Sequence, residues 1–91
     1  MRGDRLLVLY GELDIATAPE LVEMLQRFRR QGHAVELDLG EVTFMDSTGL
    51  TALIDAHLAA QSNGWLFSVR RTSPAVRRVF DLAGVGRLLG E

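Results

Sequence analysis

The 91-residue chain contains no cysteine and only two histidines. Without cysteine, the protein can form neither a disulfide framework nor a thiolate metal site. The two histidines, His33 and His57, are far apart in the sequence, so a metal site would depend almost entirely on carboxylates, and no ligand spacing suggests one. We therefore expect a small protein without a metal ion or other cofactor.

Long apolar runs and an excess of positive charge are also absent. The longest apolar run, residues 6–10, has the length of a strand rather than of a membrane-spanning helix. The N-terminus lacks the basic-then-apolar pattern of a signal peptide. The net charge of −2 argues against general nucleic-acid binding, and the glycines form no common phosphate-binding loop. These absences predict a cytoplasmic protein with no membrane insertion, no direct nucleic-acid contact and no nucleotide-dependent enzyme activity.

Strand and helix signals alternate along the chain. The apolar run of residues 6–10 predicts a strand buried on both faces, and the alternation of residues 35–39 predicts a second strand. A third strand is predicted at residues 65–69. Because helical patterns follow each of these strands, residues 1–91 are predicted to form one α/β domain.

Each predicted helix has a recognisable beginning. Thr17 and Glu20 have the spacing of a capping box at the start of the first helix. The second helix begins after an Asp-Ser-Thr-Gly turn and runs to about Ser62. Ser73 followed by Pro74 predicts an N-cap and first helical residue for the third helix.

The most informative stretch is residues 44–50, FMDSTGL, which joins the second strand to the second helix. A hydroxyl at this joint lies where free backbone N–H groups and the positive end of the helix dipole converge. Such a place suits a group that gains and loses negative charge. On local chemistry alone, the simpler interpretation is that Asp46 or Ser47 caps the helix.

Alternative roles for the polar residues are less well supported. A nucleophile elbow needs glycine two residues before the serine, and here Met45 stands there. His57 lies about three helical turns beyond Ser47, too far to act as its base, and is predicted to be a partly buried structural histidine. Asp14 is predicted either to cap or solvate the loop after the first strand or to contact a partner. On sequence alone the first interpretation is favoured.

Three separated segments resemble the STAS domain of bacterial anti-sigma factor antagonists: residues 11–14 (GELD), 44–50 (FMDSTGL) and 73–81 (SPAVRRVFD). The resemblance implies a mixed, mostly parallel sheet of about four strands packed against three or more helices. It also implies a regulatory protein without enzyme activity. In that family an anti-sigma factor that is also a serine kinase phosphorylates the antagonist.

By the same resemblance, Ser47 is the phosphoacceptor. The unphosphorylated protein binds the kinase and frees the sigma factor, phosphorylation weakens that binding, and a serine phosphatase restores it. Asp46, Thr48 and Gly49 would shape the turn and contact the partner, and Asp14 and Thr17 would line the adjacent partner surface.

Other interpretations remain open. Thr48 is a second possible acceptor, ranked below Ser47 because it is β-branched and the family's match is to the first position. The chain is also compatible with a STAS accessory subunit or cytoplasmic module of a membrane transporter. A third possibility is a scaffold or sensor component whose serine is never phosphorylated.

Overall fold

The computed structural model describes residues 4–87 and 89. Three strands, β1 (Arg5–Leu13), β2 (Val35–Met45) and β3 (Phe67–Thr72), alternate with three helices, α1 (Ala18–Arg30), α2 (Ser47–Asn63) and α3 (Pro74–Ala83). Within these residues the sheet has the order β1-β2-β3, and both strand pairs are parallel. The predicted α/β class is confirmed. The strand count differs slightly, since three parallel strands replace the expected mixed sheet of about four.

The central strand, β2, is longer than its sequence pattern indicates. It continues from the predicted residues 35–39 to Met45. Leu39, Val42 and Met45 are buried, at a spacing of three rather than two. The pairing of β2 with β1 is irregular in this region. A bulge changes the phase of alternation, so the alternating sequence pattern ends before the strand does.

The core lies between the sheet and the helices. Leu37 and Leu39 of β2, Leu53 of α2, and Val76 and Phe80 of α3 have no exposed surface. The helical residues among them follow the spacing that places side chains on one helix face. None of the helices in the described ranges is both long and apolar enough to cross a membrane.

The prediction that the first strand is buried on both faces is wrong. In the part of the chain that the structure describes, β1 is an edge strand, and its Leu7 and Leu9 pack against the core. Leu6, Val8 and Tyr10, on the opposite face, are 51%, 36% and 74% exposed. A continuous apolar run shows that both faces of a strand are apolar, but not that both are covered.

The open face of the sheet carries one buried carboxylate. Asp38 is only 5% exposed, because the Arg71 guanidinium covers it with Nε 2.9 Å from Oδ2. The Gly40 backbone N–H also donates to Asp38 Oδ1 at 2.9 Å. The N–H of Gly40 and then Arg71 lower the pKa of Asp38 from its ordinary value.

The third strand begins two residues later than predicted. Trp65 precedes it, buried, with its indole N–H donating to the His33 carbonyl oxygen at 2.7 Å. Its ring stacks on Phe67, with the two centroids 5.5 Å apart. Trp65 thus packs against the core but lies outside strand β3. Because aromatic residues are common in strands, the sequence does not show that Trp65 lies before β3 rather than within it.

Candidate functional site

The loop after β1 and the turn after β2 lie side by side. Leu13, the last residue of β1, pairs with Met45, the last residue of β2. The Asp46 backbone N–H then donates to the Leu13 carbonyl oxygen at 3.3 Å. Carboxyl ends of parallel strands are the usual position of functional sites in α/β sheets. The predicted site residues, Asp14 and Thr17 on one side and residues 46–49 on the other, are therefore brought to one end of the sheet.

Gly49 permits the close approach of α2 to β1. A Cβ atom at this position would lie 2.5 Å from the Leu13 carbonyl oxygen and 2.9 Å from its Cγ. No side chain fits at the first distance without movement of the backbone. The structure thus gives Gly49 a packing role, while its contact with a partner stays a prediction. Sequence reasoning missed Leu13, because the contact is made by a backbone oxygen that no residue pattern reveals.

Asp46 is the N-cap of α2. Its backbone is extended (φ −112°, ψ −173°), and its Oδ1 accepts a hydrogen bond from the Gly49 N–H at 3.0 Å. Its carbonyl oxygen accepts the first helical bond, from the Leu50 N–H, also at 3.0 Å. Of the two capping candidates in the sequence, the carboxylate therefore satisfies the helix terminus.

Ser47 is the first residue of α2 and is exposed. Across residues 4–87 and 89, the Ser47 hydroxyl takes part in no hydrogen bond. The fold therefore does not use this oxygen, and solvent or an enzyme can reach it. Because Asp46 already caps the helix, a change at the Ser47 hydroxyl leaves the cap in place.

The electrostatic surroundings of Ser47 suit an added anion. The N–H groups of the first helical turn include those that have no partner within the helix, and the helix dipole places partial positive charge there. No acidic residue occupies the first turn of α2. The negative neighbour is the cap itself, Asp46. A phosphoryl group on Ser47 would thus be tolerated by the helix and repelled by one adjacent carboxylate.

Thr48 is less accessible than Ser47. Its side chain is half-buried and lines a groove between α1 and α2. A kinase needs an acceptor hydroxyl that can enter its own site, and the neighbouring Ser47 satisfies this requirement better.

Asp14 organises the loop after β1. Its Oδ1 accepts hydrogen bonds from the Ala16 N–H at 3.0 Å and the Thr17 N–H at 3.1 Å. The Thr17 N–H makes the largest contribution to lowering the pKa of Asp14 below its ordinary value of 3.8. The carboxylate is thus used in a local turn, as the simpler sequence interpretation holds. Its contact with a partner stays a prediction.

The predicted capping box of α1 is wrong. Thr17 occupies the N-cap position, but its side chain makes no capping hydrogen bond. Instead, Thr17 Oγ1 accepts from the Asp14 N–H and lies 2.9 Å from the Glu12 carbonyl oxygen, to which it donates. The hydroxyl is turned back toward β1, so it cannot reach forward to Glu20. Thr17 remains exposed beside the Ser47 turn, and its predicted contact with a partner is untouched by this correction.

His57 is half-buried on α2, and its Nε2 atom is buried without a hydrogen-bond partner among the described side chains and backbone. It follows Ser47 by ten residues, which corresponds to roughly 15 Å along the helix axis. Within residues 4–87 and 89, no group of three or more histidine or carboxylate side chains is arranged to hold a metal ion. The candidate site therefore consists of the turn at residues 46–49, the N-terminus of α2 and the free hydroxyl of Ser47.

Comparison with known proteins identifies the family. Residues 2–90 match the family described as "Mlab, STAS domain". The chain is 38% identical over 80 residues to the anti-sigma-B factor antagonist of Staphylococcus epidermidis, covering 87% of this chain and 74% of that protein. The corresponding protein of Staphylococcus aureus (strain NCTC 8325 / PS 47) is 34% identical, with the same coverage.

Solved structures show the same fold. An anti-sigma factor antagonist from Mycobacterium paratuberculosis superposes with a TM-score of 0.75 at 29% identity, covering 97% of this chain and 75% of that one. The anti-sigma factor antagonist SpoIIAA in its unphosphorylated form superposes with a TM-score of 0.80 at 22% identity, covering 97% and 78%. The family match over nearly the whole chain and the level of identity lead to one conclusion: the chain belongs to the STAS-domain family of bacterial anti-sigma factor antagonists.

Proposed function

We propose that this protein is a cytoplasmic anti-sigma factor antagonist that acts by partner switching. Unphosphorylated, it binds an anti-sigma factor that is a serine kinase and thereby frees the sigma factor. Phosphorylation at Ser47 releases the kinase, and a serine phosphatase restores the binding form. The observation that carries this proposal is that Asp46 caps α2, which leaves the Ser47 hydroxyl exposed and unused. The protein itself serves as a binding partner and a phosphoacceptor, not as an enzyme.

The charge change at Ser47 is sufficient to operate such a switch. A phosphoserine carries about −1.5 to −2 charges near pH 7. The α2 terminus can accommodate that charge, so the fold survives modification. An interface that buries Ser47 as a neutral hydroxyl would have to desolvate the phosphate beside Asp46. A tenfold loss of affinity requires only about 1.4 kcal/mol.

The proposed partner surface surrounds the acceptor. Asp46, Thr48 and Gly49 belong to the Ser47 turn, and Asp14 and Thr17 belong to the loop joined to it. The hydrogen bond from the Asp46 N–H to the Leu13 carbonyl oxygen supports a single surface, because it holds the loop and the turn together. A partner that contacts Ser47 would therefore meet both segments at once.

The first experiment tests the modification site. The protein is incubated with ATP, Mg²⁺ and the serine kinase encoded nearest its gene, and intact mass is followed by peptide mapping. We expect one phosphate on Ser47, none on the Ser47→Ala variant, and normal modification of Thr48→Val and Ser73→Ala. Phosphate on Thr48, or no phosphate despite a measurable complex, would contradict the proposal.

The second measurement tests the switch. Binding of the kinase to Ser47→Ala should match that of the unmodified protein, because both present a small uncharged side chain. Binding to Ser47→Asp should be weaker by about tenfold or more, since one charge reproduces part of the phosphate's effect. Equal affinities of the two variants would remove the charge-switch argument. Co-purification with a transporter complex in place of a kinase would instead favour the accessory-subunit function.

A further inference from the structure

An open groove of about 600 Å³ runs between α1 and α2, beginning beside the Ser47 turn. We refer to it as the α1–α2 groove. Thr48 and Thr51 line the end near Ser47. Its floor is made of small or apolar side chains, of which Ala18 and Ala52 are buried and Val22 is half-buried. The groove is therefore continuous with the proposed phosphorylation site.

The groove continues along the helix pair. A further cavity of about 130 Å³ shares Val22, Ala52 and Asp55 with the first and extends to Ala59 and Arg29. From Thr48 to Ala59 the α2 helix rises by roughly 17 Å, about three turns. The small residues of α2 keep the α1–α2 groove open, because alanine side chains do not fill the space between the helices. Its length matches that of a short helical segment from a partner.

The charges along the groove are unevenly distributed, with most of the carboxylates near Ser47 and the arginine at the other end. The half nearest Ser47 has three exposed carboxylates on its rim, Glu20, Glu23 and Asp55, and no basic residue lines it. At the far end the lining includes Arg29, and Asp55 lines this part of the groove as well. The ion pairs of residues 4–87 and 89 lie on the sheet and engage none of these carboxylates. The rim charges are therefore available to a partner of opposite charge.

We infer that the α1–α2 groove docks an amphipathic segment of the kinase that phosphorylates Ser47. This inference rests on the proposed function. The segment has an apolar side on the groove floor, Lys or Arg at the end near Ser47, and Asp or Glu at the end near Arg29. The charge separation fixes the direction of the segment, because the reversed orientation would place like charges together at both ends.

Groove and turn have different tasks in this arrangement. Glu20 and Glu23 lie on α1, outside the chain segment that carries Ser47, so their contacts form in both phosphorylation states. The groove sets how tightly the kinase is held, and the Ser47 turn sets which state is held. Weakening the groove should therefore change KM and the affinity for both states, and should leave kcat largely unchanged.

The test uses the full chain and the kinase encoded nearest its gene. The double variant Glu20→Gln/Glu23→Gln removes two charges with little change of shape. At an ionic strength of about 0.05 M, we expect its KM for phosphorylation to rise by about tenfold and its kcat to change by less than about twofold. The difference should shrink at about 0.5 M salt, because surface charges are screened there. The Arg29→Gln variant should raise KM by a smaller factor.

A matched control removes the same number of charges elsewhere. Glu41 on β2 and Asp81 on α3 are exposed, and neither lines the groove. The variant Glu41→Gln/Asp81→Asn should retain the normal KM, and an equal rise in both double variants would overturn the docking proposal. Normal KM and affinity of the groove variant would also overturn it, while phosphorylation at Ser47 would leave the proposed function intact. If the unsubstituted chain neither binds the kinase nor is phosphorylated, the proposed function fails and the docking segment fails with it.

Discussion

Two serines stand at the beginning of successive helices, and their environments differ. Ser73 is the N-cap of α3, only 6% exposed, and its Oγ accepts a hydrogen bond from the Val76 N–H at 3.2 Å. Ser47 follows the N-cap of α2 by one residue and is exposed. In both helices the cap carbonyl accepts the first helical bond, from Arg77 at 2.8 Å in α3 and from Leu50 at 3.0 Å in α2. A shift of one residue thus separates a structural hydroxyl from an available one.

The chemical nature of the cap explains this difference. At α3 a neutral hydroxyl satisfies the helix terminus, and a phosphate on it would have to be buried. At α2 the Asp46 carboxylate performs the same task. The serine beside it is consequently free for modification. This comparison teaches that a serine near a helix start becomes a candidate acceptor when its neighbour caps the helix.

The largest stability effect is expected at the contact that holds the α2 start against β1. Gly49→Ala would place a Cβ atom 2.5 Å from the Leu13 carbonyl oxygen. The strain should lower the free energy of unfolding by about 1–3 kcal/mol, as overpacking of a buried position does. Denaturant unfolding measures this change. Thr51→Ala, at an exposed position of the same helix, should change stability by less than about 0.5 kcal/mol. A Gly49→Ala variant as stable as the unsubstituted protein would show that the approach is not a constraint.

The next effect compares the caps directly. Asp46→Ala and Ser73→Ala should each lower the free energy of unfolding by about 1 kcal/mol, because each leaves an N–H group at a helix start unsatisfied. Asp46→Asn should keep most of the stability. Ser47→Ala should change it by less than about 0.5 kcal/mol, since no hydrogen bond is lost. Thermal and denaturant unfolding of all four variants gives the ranking. If Ser47→Ala costs as much as Ser73→Ala, the contrast between the two serines is wrong.

The smallest effect is a difference in acid sensitivity between the two helix starts. The loop beside α2 depends on the Asp14 carboxylate, whose pKa in the folded protein is lowered below 3.8. A group with a lowered folded pKa stabilises the protein above its unfolded pKa, and this stabilisation is lost as the pH falls below 3.8 toward the folded pKa. Asp14→Asn keeps an oxygen acceptor but cannot titrate.

Unfolding midpoints measured from pH 5 down to pH 2.5 should therefore fall less steeply for Asp14→Asn than for the unsubstituted chain. Asp38, whose pKa is also lowered, contributes a decline that remains in both proteins. The hydroxyl cap of α3 does not titrate in this range. Identical pH profiles of the two proteins would show that the Asp14 hydrogen bonds add no measurable stability.

The helix starts show when a short sequence pattern is sufficient to predict a helix cap. Ser73 and Pro74 were sufficient to predict the start of α3, because an N-cap hydroxyl and a fixed proline φ act within one helical turn. The spacing of Thr17 and Glu20 is equally regular, but the capping box that it predicted for α1 does not form. The Thr17 hydroxyl had nearer partners in Glu12 and Asp14, and these backbone groups become available only when β1 ends where it does. Local chemistry predicts a cap when no tertiary contact competes for the same oxygen.

The strands illustrate a different limit. Residues 6–10 predicted a strand correctly, but its outer face is open. Residues 65–69 predicted a strand that begins only at Phe67, since Trp65 packs against the His33 turn instead. Apolar character describes what a segment can bury. Which face is covered depends on the positions of the helices, and these follow from packing rather than from the strand's own sequence.

By itself, the sequence determined the α/β order of elements, the place of Ser47 at a strand–helix joint and the resemblance to the STAS family. These depend on interactions between residues a few positions apart. Only the tertiary structure decided that Asp46 rather than Ser47 caps α2, that Gly49 meets Leu13, and that α1 and α2 enclose a charged groove. Two of these features join distant segments: Gly49 follows Leu13 by 36 residues, and Ala52 follows Val22 by 30 across the groove. Their geometry is set when the parallel strands pair and the helices pack over them. A pattern of neighbouring residues in the sequence does not predict contacts between segments that are so far apart in the chain.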